Sequence, residues 1–227
     1  MSVTRIGAWC AIGLVVAFAA GIVLMAASGV QVLIPETGKD GLDWIADVED
    51  ASGAFFIGAW LTILGGVLGV VALFGFYDAL GRAGDWLVLA PILGAFGLTL
   101  VTISHLIPIA MAYELVPGFT GSQADTFDTF TALAQVLNYT GDVVLWGVVV
   151  PMFAVAIRKT GFVHRWIGWL AIVVGIFAGI GEALSPASSV IEGLTFIGFL
   201  AFFVWMAAMG VTLVRGRPPN TASGSSV

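Results

Sequence analysis

Between residues 103 and 151, two apolar stretches enclose a short polar turn, and five of their polar side chains lie at positions expected inside a membrane. These side chains are His105, Gln135, Asn138, Tyr139 and Asp142. If these stretches cross a membrane, ionisable groups inside them are costly to bury, so each is a candidate functional residue. Gln135, Asn138 and Asp142 are three and four residues apart, a spacing that places them on one face of a helix. Such a polar stripe must face water or the interior of a helix bundle.

Asp142 is the deepest acidic residue of this pattern, and the sequence offers no lysine or arginine at its depth. Three states of its carboxyl group stay open. It is protonated, it is paired with His105 or a bound cation, or it is hydrated by a cavity open to the outside. Pro108 and Pro151 each remove a helical hydrogen bond four residues earlier, at Ser104 and Gly147, so we expect a kink at both places.

Glu182 is expected at the same depth as His105 and Asn138, on another helix. One histidine and two carboxylates could hold a divalent metal, and His105 with Asp142 or Glu182 could form an acid–base pair. No characteristic ligand spacing supports either reading. We therefore assign no metal, no cofactor and no catalytic residue. The candidate pocket residues are His105, Gln135, Asn138, Asp142 and Glu182.

Several function classes are excluded by the sequence. It contains no phosphate-binding G-x-x-x-x-G-K-[ST], no G-x-S-x-G and no H-E-x-x-H motif. The net charge of −6 gives no basis for binding nucleic acid. Lys39 and Lys159 both fall in predicted loops, which excludes a retinal bound to a helix lysine.

The elements that must position these residues are long apolar helices. Hydrophobic residues make up 59% of the chain and charged residues 10%, with a mean hydropathy of +1.07, whereas a soluble protein is nearer half apolar and a quarter charged. Crossing a bilayer takes roughly 20 apolar residues. The sequence predicts an all-α, polytopic membrane protein with a compact bundle of six transmembrane helices in one domain, residues 1–215. The predicted spans are 6–28, 51–77, 86–112, 129–157, 166–185 and 191–214.

Basic residues segregate to one set of helix ends, which predicts the threading of the chain. That set comprises Arg5, Arg82, Arg158, Lys159, Arg165, Arg215 and Arg217. Lys39 alone lies in an opposite loop, the acidic segment 31–50. Because cytoplasmic loops are enriched in lysine and arginine, both termini are expected in the cytoplasm, with residues 216–227 as a disordered cytoplasmic tail.

Three smaller patterns concern packing. Leu42, Trp44, Ile45 and Val48 alternate with acidic residues, which indicates a short helix that either lies on the membrane with Trp44 at the headgroups or caps a pocket. The pairs Gly65–Gly69 and Gly175–Gly179 have the spacing of close helix contacts, within the chain or in a homodimer. Four tryptophans near span ends are expected in an interfacial belt: Trp86, Trp166, Trp169 and Trp205.

Three segments share a pattern of apolar residues, glycine and tryptophan: FGFYDALGR (Phe74–Arg82), KTGFVHRWIGWLAIVVGIFAG (Lys159–Gly179) and GFLAFFVWMAAMGVTLVRG (Gly198–Gly216). With them, nearly the whole chain resembles a prokaryotic family of membrane proteins, the domain of unknown function 4386 (DUF4386). The resemblance implies a six-helix bundle in the cell membrane. It brings no activity and no catalytic residues to these positions. The longer acidic first loop departs from the family pattern.

Three functions are consistent with these patterns. The first is a non-enzymatic protein with an outward-facing polar pocket for a small ligand, a cation or a lipid, or an accessory subunit. The second is a proton- or cation-coupled transporter that uses Asp142. The third is a membrane enzyme for a lipid or isoprenoid, with His105 and Asp142 or Glu182 as its acid–base pair.

Overall fold

The computed structural model describes residues 1–30, 32–51, 53–184 and 189–216, and this part of the chain is helical without a strand. The helices are α1 (Val3–Ala27), α2 (Lys39–Glu49), α3 (Gly53–Leu80), α4 (Leu89–Glu114), α5 (Ala124–Asp142), α6 (Val150–Thr160), α7 (Arg165–Val174), α8 (Gly181–Leu184) and α9 (Ser189–Arg215). Two wider π-helical segments, Val143–Val149 and Gly175–Ile180, join α5 to α6 and α7 to α8. Short 3₁₀ turns lie at Gly81–Ala83, Asp85–Val88 and Gly121–Gln123.

Six helices are long and apolar enough to cross a membrane, which confirms that prediction. Their bounds are Val3–Ala27, Gly53–Leu80, Asp85–Glu114, Gly121–Thr160, Arg165–Leu184 and Gly193–Arg215. The fourth begins eight residues before the predicted start at residue 129, because the polar residues that precede it form its first turns. Residues 185 and 217–227, which belong to the predicted fifth span and the predicted tail, lie outside the described residues.

Each span packs against the next, and the sixth returns to the first. Contacts join α1 to α3, α3 to α4, and α4 to α5, and the two π segments to one another. The α9 helix then packs against both the second π segment and α1. The result is a closed bundle in which the first and sixth spans are also in contact.

Glycines allow the closest of these approaches. A Cβ on Gly7 would lie 2.5 Å from the Cα of Gly75, and one on Gly21 would lie 2.7 Å from the carbonyl oxygen of Gly58. Without side chains at these positions, α1 and α3 come into backbone contact, as small residues permit in membranes. Gly65, Gly69, Gly175 and Gly179 also meet neighbouring helices of the same chain. A homodimer through glycine-rich faces stays a prediction.

Two apolar clusters fill the bundle. The larger includes Phe76, Phe153 and Trp205, and the smaller brings Trp44 of α2 together with Phe55 and Phe127. We call the end that carries α2 the acidic end, and the end that carries the turns 81–85 and 161–164 the basic end. Trp205 is fully buried in the larger cluster, so the expectation that it lies in an interfacial belt is wrong, whereas Trp166 and Trp169 are exposed.

Candidate functional site

The polar stripe of α5 faces protein. Asp142 is 7% exposed, and Gln135 and Asn138 are partly buried. The Nδ2 of Asn138 donates to Oδ2 of Asp142 over 2.8 Å. The Nε2 of Gln135 donates to the carbonyl oxygen of Pro35 over 3.0 Å. One hydrogen bond therefore joins two residues of the stripe, and the other joins the stripe to Pro35 at the acidic end. The stripe extends from this end into the bundle.

Ser104 of α4 is the neighbour that completes this network. Its hydroxyl donates to the carbonyl of Val101 over 2.6 Å, and its oxygen lies 3.2 Å from Oδ1 of Asn138. Pro108 lacks the N–H that would bond to the Ser104 carbonyl, although α4 continues as an α-helix through this position. The sequence marked Ser104 only as the residue with a freed carbonyl, and its side chain contributes to the site as well.

Asp142 and Glu182 form the chemical centre of the site. Both residues are buried, with 7% and 8% exposed, and the helices that carry them are in contact. They come from different spans, α5 and α8. Like charges repel strongly in a medium of low dielectric constant, so this arrangement favours a proton or a cation shared with the pair.

The two π segments bring the carboxyl groups together. Asp142 directly precedes the first segment, and Glu182 follows the second by two residues. A Cβ on Gly179 would lie 2.3 Å from the Cα of Gly147, so the segments cross in backbone contact. Pro151 packs on Gly175 beside this crossing, where a Cβ would lie 2.5 Å from its ring. Because the two spans run in opposite directions, both carboxyl groups emerge on the same side of the crossing.

Pro151 gives a physical reason for the first π segment. Proline has no N–H to donate to the Gly147 carbonyl, so the α-helical pattern is interrupted there. The sequence predicted a kink here, and the structure shows a wider π-helical segment over Val143–Val149. Such single-turn π segments occur frequently at functional sites.

His105 does not join the carboxyl pair. Its ring is partly buried and packs edge-on against Phe18 of α1, with 6.3 Å between the ring centroids. Among the described residues, no three histidine, cysteine, aspartate or glutamate side chains form a group that could hold a metal ion. The metal site considered from the sequence therefore has no geometric support.

Two buried polar groups extend the stripe on either side. Thr131 Oγ1 and Trp146 Nε1 are buried without a hydrogen-bond partner among the residues that the structure describes. Thr131 lies four residues before Gln135, and Trp146 lies four residues after Asp142. The same periodicity that identified the stripe would have found Thr131. Trp146 was missed because its indole counts as apolar in a hydropathy pattern.

The acidic end of the bundle covers the site. Trp44, Ile45 and Val48 of α2 are buried, and the ring of Trp44 lies 6.0 Å from that of Phe127 on α5. The Trp44 indole donates to the carbonyl of Val32 over 3.1 Å. Trp44 is thus packed into the bundle, and α2 lies over its acidic end, as expected for the second of the two predicted alternatives, a cap.

Hydrogen bonds fasten the segment before α2 to the fourth span. The backbone N–H of Gly38 donates to Oδ1 of Asp128 over 3.0 Å, in addition to the bond from Gln135 to Pro35. These two bonds hold the segment before α2 against the acidic end of the fourth span.

Comparison of the chain with family models, with curated proteins and with solved structures found no match. The resemblance to the DUF4386 family stays a prediction from the sequence.

Proposed function

We propose that the chain is a multi-pass protein of the prokaryotic cell membrane in which Asp142 and Glu182 bind a proton or a small cation from the outer face. The observation that carries this proposal is the buried Asp142 carboxyl, which accepts a hydrogen bond from Asn138 and lies on a helix in contact with α8, the helix of the buried Glu182. A buried charge is expensive without compensation. A bound proton or cation supplies that compensation, and the polar stripe supplies oxygen ligands and a route to the outside.

The proposed threading follows from the ends of the bundle. Gly7 meets Gly75, and a Cβ on Gly210 would lie 2.8 Å from the carbonyl oxygen of Ala8. The start of α1 and the ends of α3 and α9 therefore lie together at the basic end. The positive-inside rule then favours a cytoplasmic basic end and an acidic end that faces outward.

A tag after Val227 tests this threading. In intact cells the tag should resist added protease, since the basic end is proposed to face the cytoplasm. In opened cells the same protease should remove it. Cleavage in intact cells would show that the bundle has the opposite orientation, with α2 on the cytoplasmic side.

Transport is the second candidate, and the crossing of the π segments favours it. Each π turn departs from the α-helical hydrogen-bond pattern, so the two segments are places where spans four and five can rearrange. Transport requires the carboxyl pair to open to both faces in turn, whereas binding alone requires only the outer one. The enzyme alternative is less favoured because the His105 ring packs against Phe18 and, among the described residues, His105 forms no common group with the two acids.

Asp142→Asn should reduce the dependence of stability on protons or on a cation. The amide keeps the size of the side chain but cannot bind a proton or balance a positive charge. For the unaltered protein in detergent, the melting temperature should change with pH or rise with Na⁺ relative to choline. At a free cation concentration of about 100 times the dissociation constant, binding should raise the free energy of unfolding by about 2.7 kcal/mol.

The matched control is Asp125→Asn, an exposed acid in the first turn of the same helix. This variant should retain the full response to pH and Na⁺. An equal response in Asp142→Asn would refute the proposed site. Uptake of the ion into vesicles, present in the unaltered protein and absent in Asp142→Asn, would select transport over binding.

A further inference from the structure

A groove of about 560 Å³ opens on the side of the bundle, away from the carboxyl pair and toward the basic end. Its lining is apolar apart from one ammonium group. The lining residues are Trp86, Gly147, Val148, Pro151, Met152, Val155 and Lys159. Most of them come from the π segment and α6 of the fourth span.

The groove faces the lipid. Val148 and Val155 are 43% and 46% exposed, and they lie seven residues apart on the same side of the fourth span. Gly147 contributes no side chain at the deep end, which leaves a recess beside the crossing with Gly179. An apolar recess on a membrane-exposed face takes up hydrocarbon.

The charge lies at one end only. Lys159 is in the last turn of α6 and not in a loop as the sequence predicted. Its Nζ lies 5.3 Å from the centre of the Trp86 ring. This contact fixes the ammonium at the mouth of the groove. Gly147 is twelve residues deeper, which is about 18 Å along a helix. A groove of this length can hold part of an acyl chain, and the ammonium group at its mouth can bind a phosphate.

We propose that the groove binds one anionic phospholipid, with an acyl chain along Val148 and Val155 and its phosphate on Lys159. Basic recesses between helices at the cytoplasmic side of a membrane are suited to anionic headgroups. The site is independent of the carboxyl pair, so it stands whether or not Asp142 binds an ion.

Native mass spectrometry of the delipidated full chain tests this proposal, with phosphatidylglycerol and phosphatidylcholine of equal chain length as probes. One phosphatidylglycerol should be retained in preference to phosphatidylcholine. Lys159→Gln should weaken its retention about fivefold, since one basic residue near an anionic surface contributes about that much. Val148→Trp should fill the groove and remove the retained molecule.

Two variants serve as controls. Arg158→Gln removes the adjacent cation, which lies 5.0 Å above Trp169 and not over the groove. Val204→Trp enlarges a side chain on α9 that is 55% exposed. Both should retain phosphatidylglycerol as the unaltered protein does. Equal retention of the two lipids, or equal loss in Lys159→Gln and Arg158→Gln, would overturn the proposal. Lys159→Gln is a surface change, so it decides the question even if Val148→Trp fails to fold.

Discussion

Gly179→Ala should largely abolish the folded protein. The added Cβ would lie 2.3 Å from the Cα and 2.4 Å from the backbone nitrogen of Gly147. Backbone atoms in two packed helices cannot move aside as a flexible side chain can, so the spans must separate. Overpacking ordinarily lowers the free energy of unfolding by about 1–3 kcal/mol. We expect a clash between backbone atoms to cost at least the upper value of this range. The yield of monodisperse protein and its melting temperature in detergent measure the effect.

Gly147→Ala is the matched control at the same crossing. Its Cβ would lie 3.6 Å from the Cα of Gly179, which is ordinary van der Waals contact, so this variant should fold. The two substitutions add the same methyl group to facing glycines, and only one of them should be harmful. If both variants fold equally well, the π segments do not cross in the way described. The crossing would then no longer explain how Asp142 and Glu182 come together.

Trp205→Ala should cost about 3–5 kcal/mol, the range for removing a large buried aromatic side chain. Trp205 is fully buried, and its ring lies 5.6 Å from that of Phe76 and 6.2 Å from that of Phe153. Within a membrane this loss is mainly one of packing contacts, because lipid is as apolar as the core. The free energy of unfolding in mixed micelles measures it.

Trp205→Phe should cost clearly less than Trp205→Ala. The indole Nε1 is buried without a hydrogen-bond partner in the described part of the chain, so phenylalanine removes an unsatisfied donor and keeps an aromatic ring in the cluster. Trp60→Ala, at a residue that is 48% exposed on α3, should change stability little. A Trp205→Phe variant as unstable as Trp205→Ala would indicate that the indole nitrogen has an unrecognised partner.

The helical class and the number of long apolar helices could be predicted from the sequence because each span is apolar over its own length. The polar stripe could be predicted for the same reason, since Gln135, Asn138 and Asp142 lie within one helix and follow its period. Local patterns of this kind do not depend on how the helices are arranged.

The orientation of His105 could not be predicted in this way. Consecutive helix residues are about 100° apart around the axis, so Ser104 faces Asn138 on α5 while His105 faces Phe18 on α1. Which neighbour occupies each direction is a property of the assembled bundle. The sequence therefore identified an unusual histidine but not its separation from the carboxyl pair.

The π segments and the cap also depend on tertiary contacts. Pro151 indicated an interruption, but the crossing of Gly147 with Gly179 requires two spans to meet at one height. The amphipathic pattern of α2 was compatible with a membrane surface or with the end of the bundle. The aromatic partners Phe55 and Phe127, which come from different spans, decide for the bundle.

Reaction with dicyclohexylcarbodiimide tests the proposed ion site most directly, because this apolar reagent enters the bilayer and modifies carboxyl groups there. The protein in lipid vesicles would be treated and the modified residues identified by mass spectrometry. We expect modification at Asp142 or Glu182 that slows as the pH or the concentration of the bound cation rises, and that is absent from the Asp142→Asn, Glu182→Gln double variant. Modification of neither residue in the folded protein, or modification indifferent to both pH and cations, would contradict the proposal.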